Sequence, residues 1–252
     1  MSASLARDVR RTPLTGSAFV RSLAALSDVG VPPAPDAFAQ RLAHWLAWTD
    51  AFSLSAALGD AAARADTAAV AGFGGEGALA ADEREVARVR AALAKAIADA
   101  PAGVVETRRV HRPLAGAAAP AAAPVDFAAH RQRYTKCQLA METQIVPLRR
   151  RLRSSLADRS PALAKLAELD SVMEQVVGAQ ERTLLATVAA RLEPRFDELR
   201  GDASPDAPVP PGPWLDRFRQ EMRQLLLAEL DLRLQPVEGL LEACRQSLSK
   251  RS

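Results

Sequence analysis

The second half of the chain repeats one apolar stripe over a stretch of about 30 residues, and this feature restricts the fold more than any other. After Asp126, a residue type that caps helices, apolar side chains recur at gaps of seven, four and three positions, the spacing of one helix face. They are Phe127, Tyr134, Met141, Ile145, Leu148, Leu152 and Leu156. A helix of this length with one apolar face cannot bury that face by itself. We therefore predict that it packs against other long helices.

Two further stretches carry stripes of the same kind. Ser160 and Pro161 are typical of a helix start, and the second stripe then runs from Leu163 to Leu199. After the proline-rich stretch GDASPDAPVPPGP, a third helix is predicted to begin near Pro213 and to reach about Leu248. The prediction for residues 125–252 is thus a bundle of three long antiparallel helices, or a coiled-coil-like hairpin.

Each predicted long helix contains one interior proline: Pro147, Pro194 and Pro236. A proline inside a helix removes one backbone hydrogen bond and either kinks or splits the helix. The pattern does not distinguish these two outcomes.

The first half of the chain has shorter periodic segments and a different composition. Residues 1–100 predict a smaller N-terminal helical region, and residues 101–124 contain AGAAAPAAAP, which is typical of a linker rich in alanine and proline. The whole chain is therefore predicted to be all-α, with a smaller N-terminal helical region, a linker at 101–124 and the C-terminal bundle at 125–252. With aromatic residues at only 4%, the cores must be built mainly from alanine and leucine.

The stretch LAHWLAWTDAFSLSAAL, residues 42–58, holds two of the three tryptophans of the chain. Phe38, Leu42, Trp45 and Phe52 fall on one helical stripe, which favours a packing role. Trp48 lies away from the centre of that stripe. We interpret Trp48 as a candidate contact with a second surface, such as a protein partner.

A basic run is the strongest charged feature. Residues 130–165 carry nine basic against two acidic side chains, whereas residues 166–206 carry nine acidic side chains against four arginines. The run is densest at Arg149, Arg150, Arg151 and Arg153, and clustered arginines are typical of nucleic-acid binding. Because the next predicted helix is acidic, pairing between antiparallel neighbours is the favoured interpretation, and nucleic-acid binding is the alternative.

The spacing of reactive residues indicates no enzyme, no metal and no cofactor. His130 and Cys137 are two helical turns apart, too far for a direct hydrogen bond, and neither HxxxH nor CxxC occurs. The glycine cluster GFGGEG lacks the lysine of a phosphate-binding loop. No uncharged apolar run reaches the roughly 18 residues of a membrane-spanning helix. We therefore expect a soluble, cytoplasmic, non-enzymatic protein without membrane insertion.

The sequences of the predicted helices also resemble a known family. RSPALAKLAELDSVMEQVV, ERTLLATVAARLEPRFDELR and FRQEMRQLLLAELDLRLQPVEGLLEA are similar to an uncharacterised bacterial family of unknown function, as are TGSAFVRSLAAL and WTDAFSLSAAL. The resemblance implies an all-helical protein with no assigned activity, and an accessory role in an envelope or motor-like complex, because members are encoded beside envelope proteins that include an OmpA-like domain. The hypothesis is a scaffold or assembly protein that binds a protein partner through helix faces and is able to form homo-oligomers.

Overall fold

The protein is all-α in a computed structural model that describes residues 17–27, Ser55, 76–99, 126–201 and 212–249. The helices with bounds in these ranges are α1 (Ala18–Ser27), α2 (Glu76–Asp99), α3 (Phe127–Ala157), α4 (Pro161–Ala186), α5 (Val188–Arg191), α6 (Glu193–Gly201) and α7 (Pro213–Ser249). The described ranges contain no strand. The predicted fold class is confirmed; the coiled-coil-like hairpin stays a prediction.

Two helix starts follow from local side-chain chemistry. The Asp126 carboxylate accepts a hydrogen bond of 3.0 Å from the amide of Ala128 at the start of α3. At the start of α4, the Ser160 hydroxyl accepts a bond of 3.2 Å from the amide of Leu163, and Pro161 occupies the first turn. Each cap satisfies a backbone N–H that has no partner inside its helix, which fixes where the helix begins.

Two of the three prolines lie inside a continuous helix, and the third lies at the start of one. Pro147 and Pro236 lie inside α3 and α7, which continue through them. Pro194 is the second residue of α6, just after the turn at Leu192 that separates α6 from α5. A proline in the first turn of a helix removes no helical hydrogen bond, so Pro194 is compatible with a helix that starts at Glu193. The predicted second long helix is therefore divided at Leu192 and again at Thr187.

Ion pairs define the directions of the helices. Arg90 of α2 pairs with Asp231 of α7 at 3.0 Å and Arg245 pairs with Glu83 at 2.7 Å, so α2 and α7 run antiparallel. In the same way, α2 is antiparallel to α3, because Arg151 pairs with Glu85 and Arg133 donates to the carbonyl of Ile97, so α3 and α7 run parallel. The two pack side by side, α2 and α4 each contact both of them, and α1 lies against α7 and α6.

One continuous core joins helices from both halves of the chain. Phe19 of α1 and Leu93 and Ile97 of α2 are buried in the same cluster as the stripes of α3 and α7. At one end, Arg159 is buried and donates to Asp82 of α2 at 2.6 Å. The sequence pattern did not predict this sharing of the core. The predicted linker, residues 101–124, lies outside the described residues, and the division into 1–100 and 125–252 stays a prediction.

We expect Leu93→Ala to lower the stability of the C-terminal helices as well as that of α2. Leu93 is 1% exposed, so the truncation leaves a cavity and costs about 2–5 kcal/mol. The measurement is urea unfolding followed by the fluorescence of Trp214 in α7, in a background where Trp45 and Trp48 are replaced by phenylalanine. Arg84→Ala, at an exposed position of α2, is the matched control. An unchanged Trp214 transition would show that α2 folds independently of α7.

Candidate functional site

Two arginines of the predicted basic run pair with the acidic face of α4. Arg149 donates to Asp170 through Nε at 2.8 Å and through Nη2 at 2.6 Å. Arg153 donates to Asp170 at 3.1 Å and to Glu174 at 2.6 Å. The side chains of Arg149 and Arg153 are only 14% and 12% exposed. Bidentate arginine–carboxylate pairs with little exposure are strong and directional, so these pairs fix α3 against α4.

The other predicted interaction residues are placed differently. Arg151 pairs with Glu85 of α2 at 2.7 Å and remains 63% exposed. Arg150 is exposed and forms no ion pair with a residue that the structure describes. Trp48 lies outside the described residues. The four arginines therefore point in different directions, with two facing α4, one facing α2 and one facing solvent.

A buried polar network lies at the centre of the bundle, and sequence reasoning missed it. Glu229 of α7 has no exposed surface and accepts hydrogen bonds from three side chains. Tyr134 Oη donates at 2.6 Å, Gln138 Nε2 at 3.0 Å, and Arg233 Nε and Nη2 at 2.9 and 2.7 Å. The sequence did contain a signal for this network: in LLLAELDLRLQ, Glu229 occupies a position of the apolar stripe and lies four residues before Arg233, the spacing of an ion pair on one helix face.

The Glu229 network connects three helices. Gln138 Nε2 also donates to the backbone carbonyl of Leu185 at 2.9 Å, close to the point where α4 ends. Burial raises the pKa of the Tyr134 phenol, and the charge of Glu229 and its hydrogen bond raise it further, so this phenol stays protonated. The network therefore ties α3, α4 and α7 together in one register.

A cleft of about 60 Å³ lies beside the network. Arg233 belongs to both: it pairs with Glu229 inside the bundle and also lines the cleft. The α3 side contributes three apolar residues together with the charged Glu142 and Arg149, and the α4 side is charged around Gly178. The lining used below comprises Met141, Ile145, Val146, Gly178, Glu181 and Arg182.

At the end of the bundle where α3 and α7 begin, His130 is buried among aromatic rings. It is 4% exposed, with its ring centroid 5.3 Å from that of Phe218 and 5.7 Å from that of Phe196. Burial, together with the charges of Arg219 and Arg133, lowers the pKa of His130 to about 4. His130 is therefore a neutral packing residue at pH 7.

We expect the stability of the protein to fall between pH 7 and pH 5 because of His130. Its folded pKa lies below its ordinary value of 6.5, so the unfolded chain takes up a proton first as the pH drops. This stabilisation is complete above about pH 6.5 and is lost towards pH 4, with a change of about 1–2 kcal/mol between pH 7 and pH 5. The measurement is urea unfolding at both pH values, in the wild type and in His130→Phe. An equal pH dependence in the two proteins would contradict the assignment.

The cysteines have packing roles in the structure. Cys244 is fully buried in the core, whereas Cys137 is half-buried and packs against it. Burial raises the pKa of both thiols, which disfavours the reactive thiolate. Within the described ranges, no three histidine, cysteine, aspartate or glutamate side chains are grouped as a metal site requires. None of the helices described combines the length and apolarity of a membrane span.

Comparison with known proteins places the chain in one family. The chain matches no curated protein and no solved structure. Residues 5–246, nearly the whole chain, match one family model. That family is described as protein of unknown function (DUF3348), and the chain belongs to it.

Proposed function

We propose that the protein is a non-enzymatic scaffold or assembly protein, which binds a protein partner through the outer faces of its long helices. The observation that supports this role is the use of buried charges to fix the helices against one another. Glu229 joins α7 to α3, and Asp170 joins α4 to α3. With 37 residues, α7 alone is about 55 Å long. A long body with a fixed register holds its outer faces at constant spacing, as a scaffold requires.

The positions of the reactive side chains support a non-enzymatic role. His130 is packed among aromatic rings, Tyr134 donates to Glu229, and Cys244 lies in the core. Each of these groups therefore has a structural contact and a pKa shifted in the direction that makes it less reactive near neutral pH.

The alternative function, nucleic-acid binding through the basic run, has less support. Arg149 and Arg153 already pair with Asp170, which leaves Arg150 and Arg151 as the exposed arginines in the densest part of the run, residues 149–153. A phosphate backbone would have to compete with those carboxylates for the first two. The alternative predicts salt-sensitive DNA or RNA binding that is weakened by Arg150→Glu and Arg151→Glu, and a flat titration at low salt would exclude it.

The envelope-complex partner is proposed from the family resemblance, and the location from the sequence. We place the protein in the cytoplasm, as an accessory to a cell-envelope complex, with a second copy of the chain as a further binding partner. Cell fractionation tests the location, and sedimentation velocity across a range of protein concentrations tests self-association.

Site-specific photo-cross-linking in the native cell tests the scaffold role. The cross-linker is placed at an exposed leucine on each long helix: Leu139 on α3, Leu184 on α4 and Leu227 on α7. The proposal expects one protein to be captured in high yield from one helix face and in low yield from the others. Capture at no position, or a catalytic turnover that a single polar substitution abolishes, would overturn it.

A further inference from the structure

We propose that the cleft between α3 and α4 is a binding site for one small organic cation, an ammonium or guanidinium group on a short aliphatic stem. The first argument is space. A cleft of about 60 Å³ holds roughly four to six water molecules, which is comparable with the four heavy atoms of a guanidinium group. Gly178 lines the cleft, and a methyl group added there would take up part of this space, in ordinary contact with Arg182 Nη1 at 3.4 Å.

The second argument is the charge balance of the cleft. The charged lining residues and their direct ion-pair partners form a closed set of four arginines and five carboxylates. The set comprises Arg149, Arg153, Arg182 and Arg233 with Glu142, Asp170, Glu174, Glu181 and Glu229. It therefore carries one negative charge in excess, and a cation balances it.

Glu181 carries the excess charge. It is half-buried, lines the cleft, and has no hydrogen bond or ion pair with any residue in the described part of the chain. The neighbouring arginines are engaged elsewhere: Arg149 is bidentate with Asp170, and Arg233 is held by Glu229. The attraction between a half-buried carboxylate and a cation is stronger inside a cleft than in bulk water, because the effective dielectric constant is lower there.

The apolar residues of α3 define the stem of the ligand. Met141 and Ile145 are buried in the core, so Val146, which is half-buried, is the apolar lining residue that a ligand reaches. An alkyl chain of a few carbons would cover Val146 while its cationic head meets Glu181, whereas a hydrated metal ion would leave Val146 uncovered. The stem and the head together describe either a free alkylamine or alkylguanidine, or a lysine or arginine side chain of another protein.

The test is an NMR titration of the full chain, with the amide signal of Gly178 as the reporter. The probes are butylguanidinium and butylammonium, and the neutral N-butylurea is the matched control. We expect saturable shifts with a Kd of about 1–10 mM for the two cations, and no saturation with N-butylurea. Glu181→Gln should weaken binding about tenfold or more, whereas Glu168→Gln, the same change at an exposed position of α4, should leave it unchanged.

Gly178→Ala separates loss of the cleft from loss of the fold. Alanine is the better helix former, so this variant should melt at the same or a higher temperature while it binds butylguanidinium more weakly, as followed by the shifts of the neighbouring amides. A capped tripeptide, Gly-Arg-Gly, distinguishes the two sources: binding as tight as that of butylguanidinium indicates a protein side chain, and much weaker binding indicates a free small molecule. No saturable shift, equal binding of N-butylurea, or unchanged binding by Glu181→Gln would overturn the proposal.

Discussion

Glu229→Ala should destabilise the protein by about 3–5 kcal/mol, because it removes the acceptor of a fully buried network. Arg233 would lose the carboxylate that neutralises it, and because its side chain is only 12% exposed, water cannot fully replace that carboxylate. The Tyr134 hydroxyl would lose its acceptor, the Glu229 carboxylate at 2.6 Å, and Gln138 would keep only its bond to the Leu185 carbonyl. Each buried donor left without an acceptor costs about 1–3 kcal/mol. Urea unfolding monitored by circular dichroism measures the loss.

Two further variants separate the charge of Glu229 from its packing. Glu229→Gln keeps the shape and should cost less than the alanine, about 1–3 kcal/mol. The double variant Glu229→Leu with Arg233→Leu removes both charges and should be more stable than Glu229→Leu alone. Glu168→Ala, at an exposed site on α4, should change stability by no more than about 0.5 kcal/mol. A loss in Glu229→Ala as small as that of this control would contradict a buried charged network.

Phe218→Ala should have a similarly large effect, a loss of about 3–5 kcal/mol. Phe218 is 1% exposed, and its ring lies 5.1 Å from Phe196, 5.3 Å from His130 and 6.4 Å from Phe127, between centroids. The truncation leaves a cavity and removes three edge-to-face contacts where α3, α6 and α7 meet. Thermal and urea unfolding measure the change.

Two further substitutions test whether the loss of stability follows the buried volume that is removed. Phe218→Leu fills more of the cavity and should lose about 1–2 kcal/mol. Leu227→Ala on the same helix, at a position 36% exposed, should lose less than about 1 kcal/mol. If Phe218→Ala were no more destabilising than Leu227→Ala, the aromatic cluster would not contribute to the core as the structure indicates.

The helices themselves were predictable because their signals are local. In the stripe from Phe127 to Leu156 and in the caps at Asp126 and Ser160, each residue lies within seven positions of the next along the chain. The excess of acids after residue 165 likewise predicted pairing with the basic run, and Arg149 and Arg153 do face Asp170. Whether a proline splits a helix was not predictable, because Pro194 in RLEP and Pro236 in RLQP have similar sequence settings, yet Pro236 lies inside α7 and Pro194 follows a turn.

The candidate site was mostly not predictable. Glu229 and Tyr134 are separated by 95 positions, and nothing in the local sequence of either residue specifies the other as its partner. The cleft depends on Gly178 of α4 lying opposite Ile145 of α3, which requires the rotation of both helices about their axes. That rotation is set by the packing of the whole core rather than by any short segment.

By itself, the sequence determined that the chain is helical, where two of its long helices begin, and that its acidic and basic helices attract each other. These properties depend on backbone capping, side-chain periodicity and net charge, all of which act over a few residues or add up along a helix. Only the tertiary structure decided that α2 shares the core of α3 and α7, and that Glu229 meets Tyr134 inside it. The physical reason is that contacts between distant residues depend on the mutual register of whole helices, which is fixed only when their apolar faces pack together.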